Sequence, residues 1–334
     1  MPAGPTPELT LGPVLFNWKP EAWRDFYFRI ADEAPVTMVY VGEVVCAKRA
    51  PLFRPLTEAV IDRLESAGKT VVLSTLAEVM LSQDRRLVRS VCADRDVLVE
   101  ANDASALFRL RGRPHHVGPF INVYNEDTLT VLADNGALSV ALPAEMPASG
   151  IAALTAAAAP AGVAVEVQVF GRMSLALSAR CYHARVHGRT RDSCQFACDE
   201  DADGLELRTL DGKPFLAING LQTLSHTCLN LIAELTELRA MGVSRLRLSP
   251  QTCDMVEVAR IFRSALDDGI DMAEARQRLE AASFGAPFSN GFFHRRPGFV
   301  HAPPRADEAG ASPARGAAGS PGAGTGADPV SGTA

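Results

Sequence analysis

The sequence contains no G-x-S-x-G, H-E-x-x-H, G-x-G-x-x-G or Walker A motif. Their absence removes the familiar serine-hydrolase, zinc-peptidase, dinucleotide-binding and nucleotide-triphosphatase readings. A basic face is also missing: 33 Lys and Arg stand against 39 Asp and Glu, for a net charge of −6, and the basic residues are scattered. Nucleic-acid binders draw their affinity from a concentrated basic surface, so no nucleic-acid partner is expected. No basic segment precedes an apolar stretch at the start, so nothing resembles an export signal. The 20 uncharged residues from Met146 to Val165 are rich in Ala and broken by Pro147, Gly150, Pro160 and Gly162. They read as a soluble helix ending near Ala159, not a transmembrane segment, and a cytoplasmic protein is expected.

What is present is 334 residues, 47% apolar and 22% charged, enough for one large domain or two smaller ones. The composition is uneven. From Ala302 to Ala334, Ala, Gly, Pro and Ser account for 25 of 33 residues and there is no aromatic. Such a segment buries too little apolar surface to offset its ordering entropy, so residues 302–334 are expected to form a disordered tail. With a flexible Pro-rich start at residues 1–10, residues 11–301 remain, a length that suits a single (β/α)8 barrel of about 250 residues.

Short runs rich in Val, Ile and Leu alternate with helical patterns. Strands are expected at Pro13–Phe16, Val36–Val41, Thr70–Ser74, Asp96–Glu100, Phe120–Tyr124, Ala137–Leu142, Val163–Phe170 and Arg245–Leu248. Between them, Lys19–Ala31, Pro51–Ser66, Ala77–Arg89 and Glu126–Asp134 are long enough for two to four helical turns. This alternation predicts βαβ units and an α/β barrel. Asn102-Asp103 is placed to cap a helix, and Gly68 to end one. The alternation breaks between about residues 178 and 204, which read as a long ordered loop. After it, Leu205–Leu210 and Lys213–Ile218 flank Asp211-Gly212, a dipeptide favoured in tight hairpins, so an inserted β-hairpin is expected. A helix over Leu221–Met241, a strand at Arg245–Leu248 and helices over Met255–Leu266 and Met272–Ala281 would complete the barrel.

Seven cysteines without an export signal point to reduced thiols that act as ligands, nucleophiles or packing groups. Cys181, Cys194 and Cys198 share the irregular loop with Arg180, Arg185, Arg189 and Arg191. Three thiolates held close need positive counter-charge, as an anionic iron-sulfur cluster does. Cys46 is the best fourth ligand, because it follows strand Val36–Val41 and so falls on the carboxyl-end loops where barrel sites are built. Zinc is the chemical competitor, with His183 and His187 joining Cys194 and Cys198. Cys92, Cys228 and Cys253 read as packing groups.

Other patterns are weaker. Asp199-x-Asp201-x-Asp203-Gly204 matches the first half of a calcium loop, but its twelfth position is Leu210 instead of an acid. His115-His116 and Asn122-Val-Tyr124-Asn125 are candidates for a polar pocket.

Several segments together resemble the collagenase-like peptidase family U32: Leu11-Gly-Pro-Val-Leu15, Tyr40-Val-Gly-Glu-Val-Val-Cys46-Ala-Lys-Arg49, Asn122-Val-Tyr-Asn125, Ser178-Ala-Arg-Cys181, Cys194-x3-Cys198, Asn219-Gly-x-Gln222 and Arg247-Leu-Ser-Pro-Gln251. Within it they are similar to the branch that serves ubiquinone biosynthesis. The resemblance runs from about Leu11 to Phe293. It implies one 4Fe-4S cluster on Cys46, Cys181, Cys194 and Cys198, and no established protease activity. It further implies a homologous partner in a heterodimer, a part in oxygen-independent hydroxylation of a quinone-precursor ring, and a substrate handed over by a lipid-binding protein. Two other readings stay open: a non-catalytic binding protein stabilised by iron-sulfur or zinc, and a peptidase suggested by the family name alone.

Overall fold

The structure is a computed structural model that describes residues 5–303. Seven β-strands and six helices alternate along the first half. The strands are β1 (Glu8–Leu11), β2 (Met38–Val41), β3 (Thr70–Ser74), β4 (Leu98–Ala101), β5 (His115–Val117), β6 (Ala137–Ala141) and β7 (Ala164–Leu177). The helices are α1 (Pro20–Glu33), α2 (Ala50–Ser66), α3 (Ser82–Ala93), α4 (Ala104–Leu110), α5 (Glu126–Asp134) and α6 (Ala148–Ala158). The short α7 (Tyr182–Val186) follows, then β8 (Leu205–Arg208), β9 (Pro214–Asn219) and β10 (Gln222–Asn230). α8 (Leu235–Ala240), β11 (Arg245–Leu248), α9 (Met255–Leu266), α10 (Met272–Ala282) and β12 (Phe288–Ser289) complete the described chain.

β1 to β7 pair in parallel in chain order, and β11 pairs in parallel with both β1 and β7. That double pairing closes an eight-stranded (β/α)8 barrel. Leu11 stands opposite Leu248, and Val167 opposite Leu246. Outward apolar side chains such as Val39, Val41, Val140, Val165 and Leu246 are buried against the helices in one continuous core. The caps expected from sequence are in place: Asp103 Oδ1 accepts the Ser105 N–H at 2.7 Å, and Gly68, at φ +76°, ends α2.

β7 is long enough to leave the barrel. Its second half pairs antiparallel with β10, which pairs with β9 and then β8, so the predicted hairpin is part of a three-stranded extension beside the barrel. This overturns the expected helix over Leu221–Met241, whose first half is β10. Thr223, Ser225 and Thr227 alternate with Leu224 and Cys228 neighbours suited to a sheet, and the exposed edge of β7 supplies the pairing. Only Leu235–Ala240 is α-helical there.

Other boundaries moved. The first strand lies at Glu8–Leu11, not Pro13–Phe16, so residues 8–10 are paired instead of flexible. The fifth strand is His115–Val117; Phe120–Tyr124, expected as that strand, lies in the turn after it, where Asn122 adopts φ +59°. Ala302, expected to open the tail, is buried and exchanges two backbone hydrogen bonds with the Asn290 side chain, at 2.7 and 3.0 Å. The rest of the expected tail from residue 304 lies outside the described residues. Among the described residues no helix is long and apolar enough to cross a membrane.

Candidate functional site

Cys46 sits in the turn after β2. Gly42 begins that turn at φ +140°, with a Cβ position only 2.6 Å from the Ser74 carbonyl oxygen, so no side chain fits there. The Glu43 carboxylate then accepts the N–H groups of Val45 and Cys46, both at 2.8 Å, which folds Cys46 back over the barrel. The other three cysteines lie in the loop after β7. Cys181 caps α7, its Sγ accepting the Ala184 N–H at 3.4 Å. Gln195 and Phe196 are left-handed, at φ +48° and +55°, which coils the chain between Cys194 and Cys198. The loop is tied to the barrel: the Trp18 indole N–H donates to Ala202 O at 2.8 Å, and Lys48 Nζ donates to Arg191 O at 2.7 Å.

These segments bring Cys46, Cys181, Cys194 and Cys198 around one small pocket, together with Lys48, Arg49 and Arg191. Arg49 is 1% exposed and acts electrostatically on Cys46 and Cys198. Its Nε is buried without a hydrogen-bond partner, as are Nε and Nη1 of Arg191. Burial pushes the Cys46 thiol up, and the nearby Arg49 cation opposes this; burial likewise raises Cys181, against the Ala184 N–H. Four soft thiol donors facing unpartnered guanidinium N–H groups fit a thiolate-bound anionic group.

The zinc set expected from sequence does not assemble. Among the described residues, the single trio of ligand atoms within 4.8 Å of one another is His183, His187 and Asp201, and no three of the four cysteine sulfurs come that close. Tetrahedral zinc, with Zn–S near 2.3 Å, brings its sulfurs to about 3.8 Å from one another. His183 Nε2 is engaged by Asp201 at 2.9 Å, and its ring stacks on His187. The half calcium motif is dispersed as well: Asp199 pairs with Lys19, Asp201 with His183, and Asp203 with Thr252. Cys92 and Cys228 are buried packing groups, while Cys253 is half-buried beside Met255, its thiol pushed up to about 12 by burial.

A cavity of about 430 Å³ opens at the carboxyl ends of the barrel strands, a volume in the range of small-molecule sites. Asn122 and Tyr124 line it, with Phe120, Gln168, Ser174 and Arg247. Asn125 does not; it caps α5. His115 and His116 are both buried; His116 lies inside the barrel, where its Nδ1 meets Ser139 Oγ at 2.6 Å, whereas His115 Nδ1 contacts Arg113 O at 2.8 Å. Below the cavity lies a network that the strand-by-strand reading missed. Arg247 bridges Glu100 and Glu166 and stacks over the Tyr40 ring at 4.0 Å, and Tyr40 Oη donates to Glu166 at 3.0 Å. Its signal was available: Glu100, Glu166 and Arg247 are charged residues flanked on both sides by apolar ones within strands.

Among solved structures, the fold is similar to an aldo-keto reductase from Bacillus halodurans, at 9% identity over 84% of this chain and 93% of that one, with a TM-score of 0.42. It is also similar to an enolase from Agrobacterium radiobacter bound to sodium and L-malate, at 12% identity over 48% of this chain and 44% of the enolase, with a TM-score of 0.32. The profile of peptidase family U32 matches residues 18–302. With almost the whole described barrel and its cysteine loop inside that match, the chain belongs to peptidase family U32.

Proposed function

We propose that this protein is a UbiV-like iron-sulfur subunit that holds one 4Fe-4S cluster on Cys46, Cys181, Cys194 and Cys198. In this reading it acts in the cytoplasm with a UbiU-like homologue, as a heterodimer, in oxygen-independent hydroxylation of a quinone-precursor ring delivered by a lipid-binding protein. The observation that carries it is the convergence of four cysteines, 152 positions apart at the extremes, on a pocket that also gathers Lys48, Arg49 and Arg191. When bound, a cluster of this kind supplies one-electron chemistry.

The chain's own residues divide the remaining work. The Gly42 turn and the coil at Gln195-Phe196 present the sulfurs, and the three cations offset their charge. The barrel-mouth cavity offers Phe120 and Tyr124 for packing against a ring, with Asn122, Gln168 and Ser174 as polar contacts. Among the described residues no three of the four sulfurs lie within 4.8 Å of one another, which favours a multi-iron cluster over a single tetrahedral zinc. The peptidase reading gains nothing: the Ser139–His116 pair is sealed in the barrel, and burial lowers His116 to about 4, where it is a poor base.

The test is anaerobic purification, alone and with a co-expressed homologue, followed by iron and sulfide counting. The reading expects about four of each per chain, and their loss in the double variant Cys194→Ser/Cys198→Ser. Full iron and sulfide in that variant would overturn the ligand assignment.

A further inference from the structure

The Asn219-Gly220-Leu221-Gln222 segment forms the turn between β9 and β10, and it is built around one side chain. Arg49 Nη2 donates to Asn219 Oδ1 at 2.9 Å, and Arg49 Nη1 donates to Leu15 O at 2.9 Å. Asn219 Nδ2 donates in turn to Leu15 O at 2.7 Å and to Gln222 Oε1 at 3.1 Å, and Gln222 Nε2 donates to Ser174 Oγ at 3.3 Å. Asn219 and Gln222 are 1% and 0% exposed. Gly220 sits at φ +61°, and a Cβ there would lie 2.6 Å from Arg49 Nη2. Any side chain there would have to displace the guanidinium from this position, in a left-handed turn that favours glycine.

The hydrogen-bonded partners of Arg49 are therefore neutral oxygens, and no carboxylate among the described residues lies within 4.0 Å of it. The buried Glu43 carboxylate acts on it only at longer range, so no ion pair neutralises the guanidinium directly. Beside it are Cys46 and Cys198. Lys48 and Arg191 differ in this respect, since each also approaches an aspartate, at 3.9 and 3.7 Å.

Resting on the cluster reading above, we infer that Arg49 is a positioning residue that sets the reduction potential of the thiolate-bound group, and that the Asn219–Gln222 turn exists to hold its charge there without a direct carboxylate partner. Reduction adds negative charge to the pocket, so a fixed positive charge favours the reduced form. Removing that charge moves the midpoint potential in the negative direction.

The experiment compares wild type with Arg49→Gln, Arg49→Lys and Gly220→Ala, each reconstituted anaerobically, by iron and sulfide content and by electron paramagnetic resonance redox titration. The expected result is a negative shift in Arg49→Gln and a potential close to wild type in Arg49→Lys, which keeps the charge. Gly220→Ala, which retains Arg49 but crowds its guanidinium, should shift in the same direction by less. If Arg49→Gln does not fold, the Gly220→Ala and Arg49→Lys pair carries the comparison. Iron-replete proteins with superimposable potentials overturn the role of Arg49 alone. Wild-type protein that takes up neither iron nor sulfide overturns the cluster reading and this inference with it.

Discussion

Arg247 on β11 turns into the barrel interior and places its Nη2 2.7 Å from an oxygen of Glu166 on the neighbouring β7, with both side chains almost completely buried. The same nitrogen lies 2.6 Å from Glu100, so one cation holds two carboxylates on different strands. Burial alone would push the Glu166 carboxyl up, but the Arg247 charge and hydrogen bond override it and hold the group below its usual range. Arg247→Met leaves the two acids facing each other without a counter-ion and is expected to cost about 3–5 kcal/mol in urea unfolding. Glu166→Gln should cost clearly less, because Arg247 keeps Glu100. Equal costs for the two variants would contradict this account of the network.

Acid sensitivity should come partly from His116. Burial first, then the Arg245 cation, lowers it to about 4 from an ordinary value near 6.5. A histidine whose folded value is depressed contributes stability that is present above the unfolded value and is lost as pH falls from about 6.5 towards 4. The loss is on the order of 3 kcal/mol for this group. Unfolding measured across that window should show a shallower pH slope in His116→Gln than in wild type. An unchanged slope would mean that the buried ring is not what titrates.

The cysteine loop is fastened to the first barrel loop by Trp18, whose indole N–H donates to Ala202 O at 2.8 Å. Trp18→Phe keeps most of the apolar contact, including the neighbouring Phe26 ring at 5.1 Å, and removes this bond, worth about 1 kcal/mol. Hydrogen exchange should quicken within residues 178–204 while β1 to β6 keep their protection. Faster exchange throughout the barrel would show that Trp18 supports the whole core instead.

Gly42 is the position most sensitive to a single added methyl group near the site. Its φ of +140° and the 2.6 Å approach to Ser74 O leave no room for Cβ. Gly42→Ala is expected to destabilise by about 1–3 kcal/mol and, by displacing the turn that carries Cys46, to lower iron retention. Gly68→Ala is the control: it is also left-handed, at φ +76°, but nothing lies within 4 Å, and it is remote from the cysteines. Equal iron loss in both variants would remove the link between this turn and the pocket.

Much of the architecture was legible in the order of residues. Parallel strands need apolar side chains at regular intervals and crossover helices of known length, so the alternation from β1 to β6 by itself implies a (β/α)8 barrel. The beginning and middle of the alternation were placed less well. Phe120–Tyr124 carries the apolar content of a strand yet forms the turn beyond one, because His115–Val117, with two histidines, pairs with β4 and β6 inside a polar interior. Local composition cannot express that preference. Leu221–Asn230 became a strand for a similar reason, since the partner that recruits it is the overhanging half of β7.

The sequence by itself determined the barrel, the inserted hairpin at Asp211-Gly212 and the set of thiols held in one basic loop, because each follows from periodicity, turn chemistry or close spacing along the chain. Tertiary structure alone decided which distant groups meet. Cys46 and Cys181 are 135 residues apart, and Arg49 and Asn219 are 170 apart, so no local rule relates them. Closure of the barrel by β11 and the return of the loop over the strand ends bring them into one buried environment, where charge and desolvation act over a few ångströms regardless of separation along the chain.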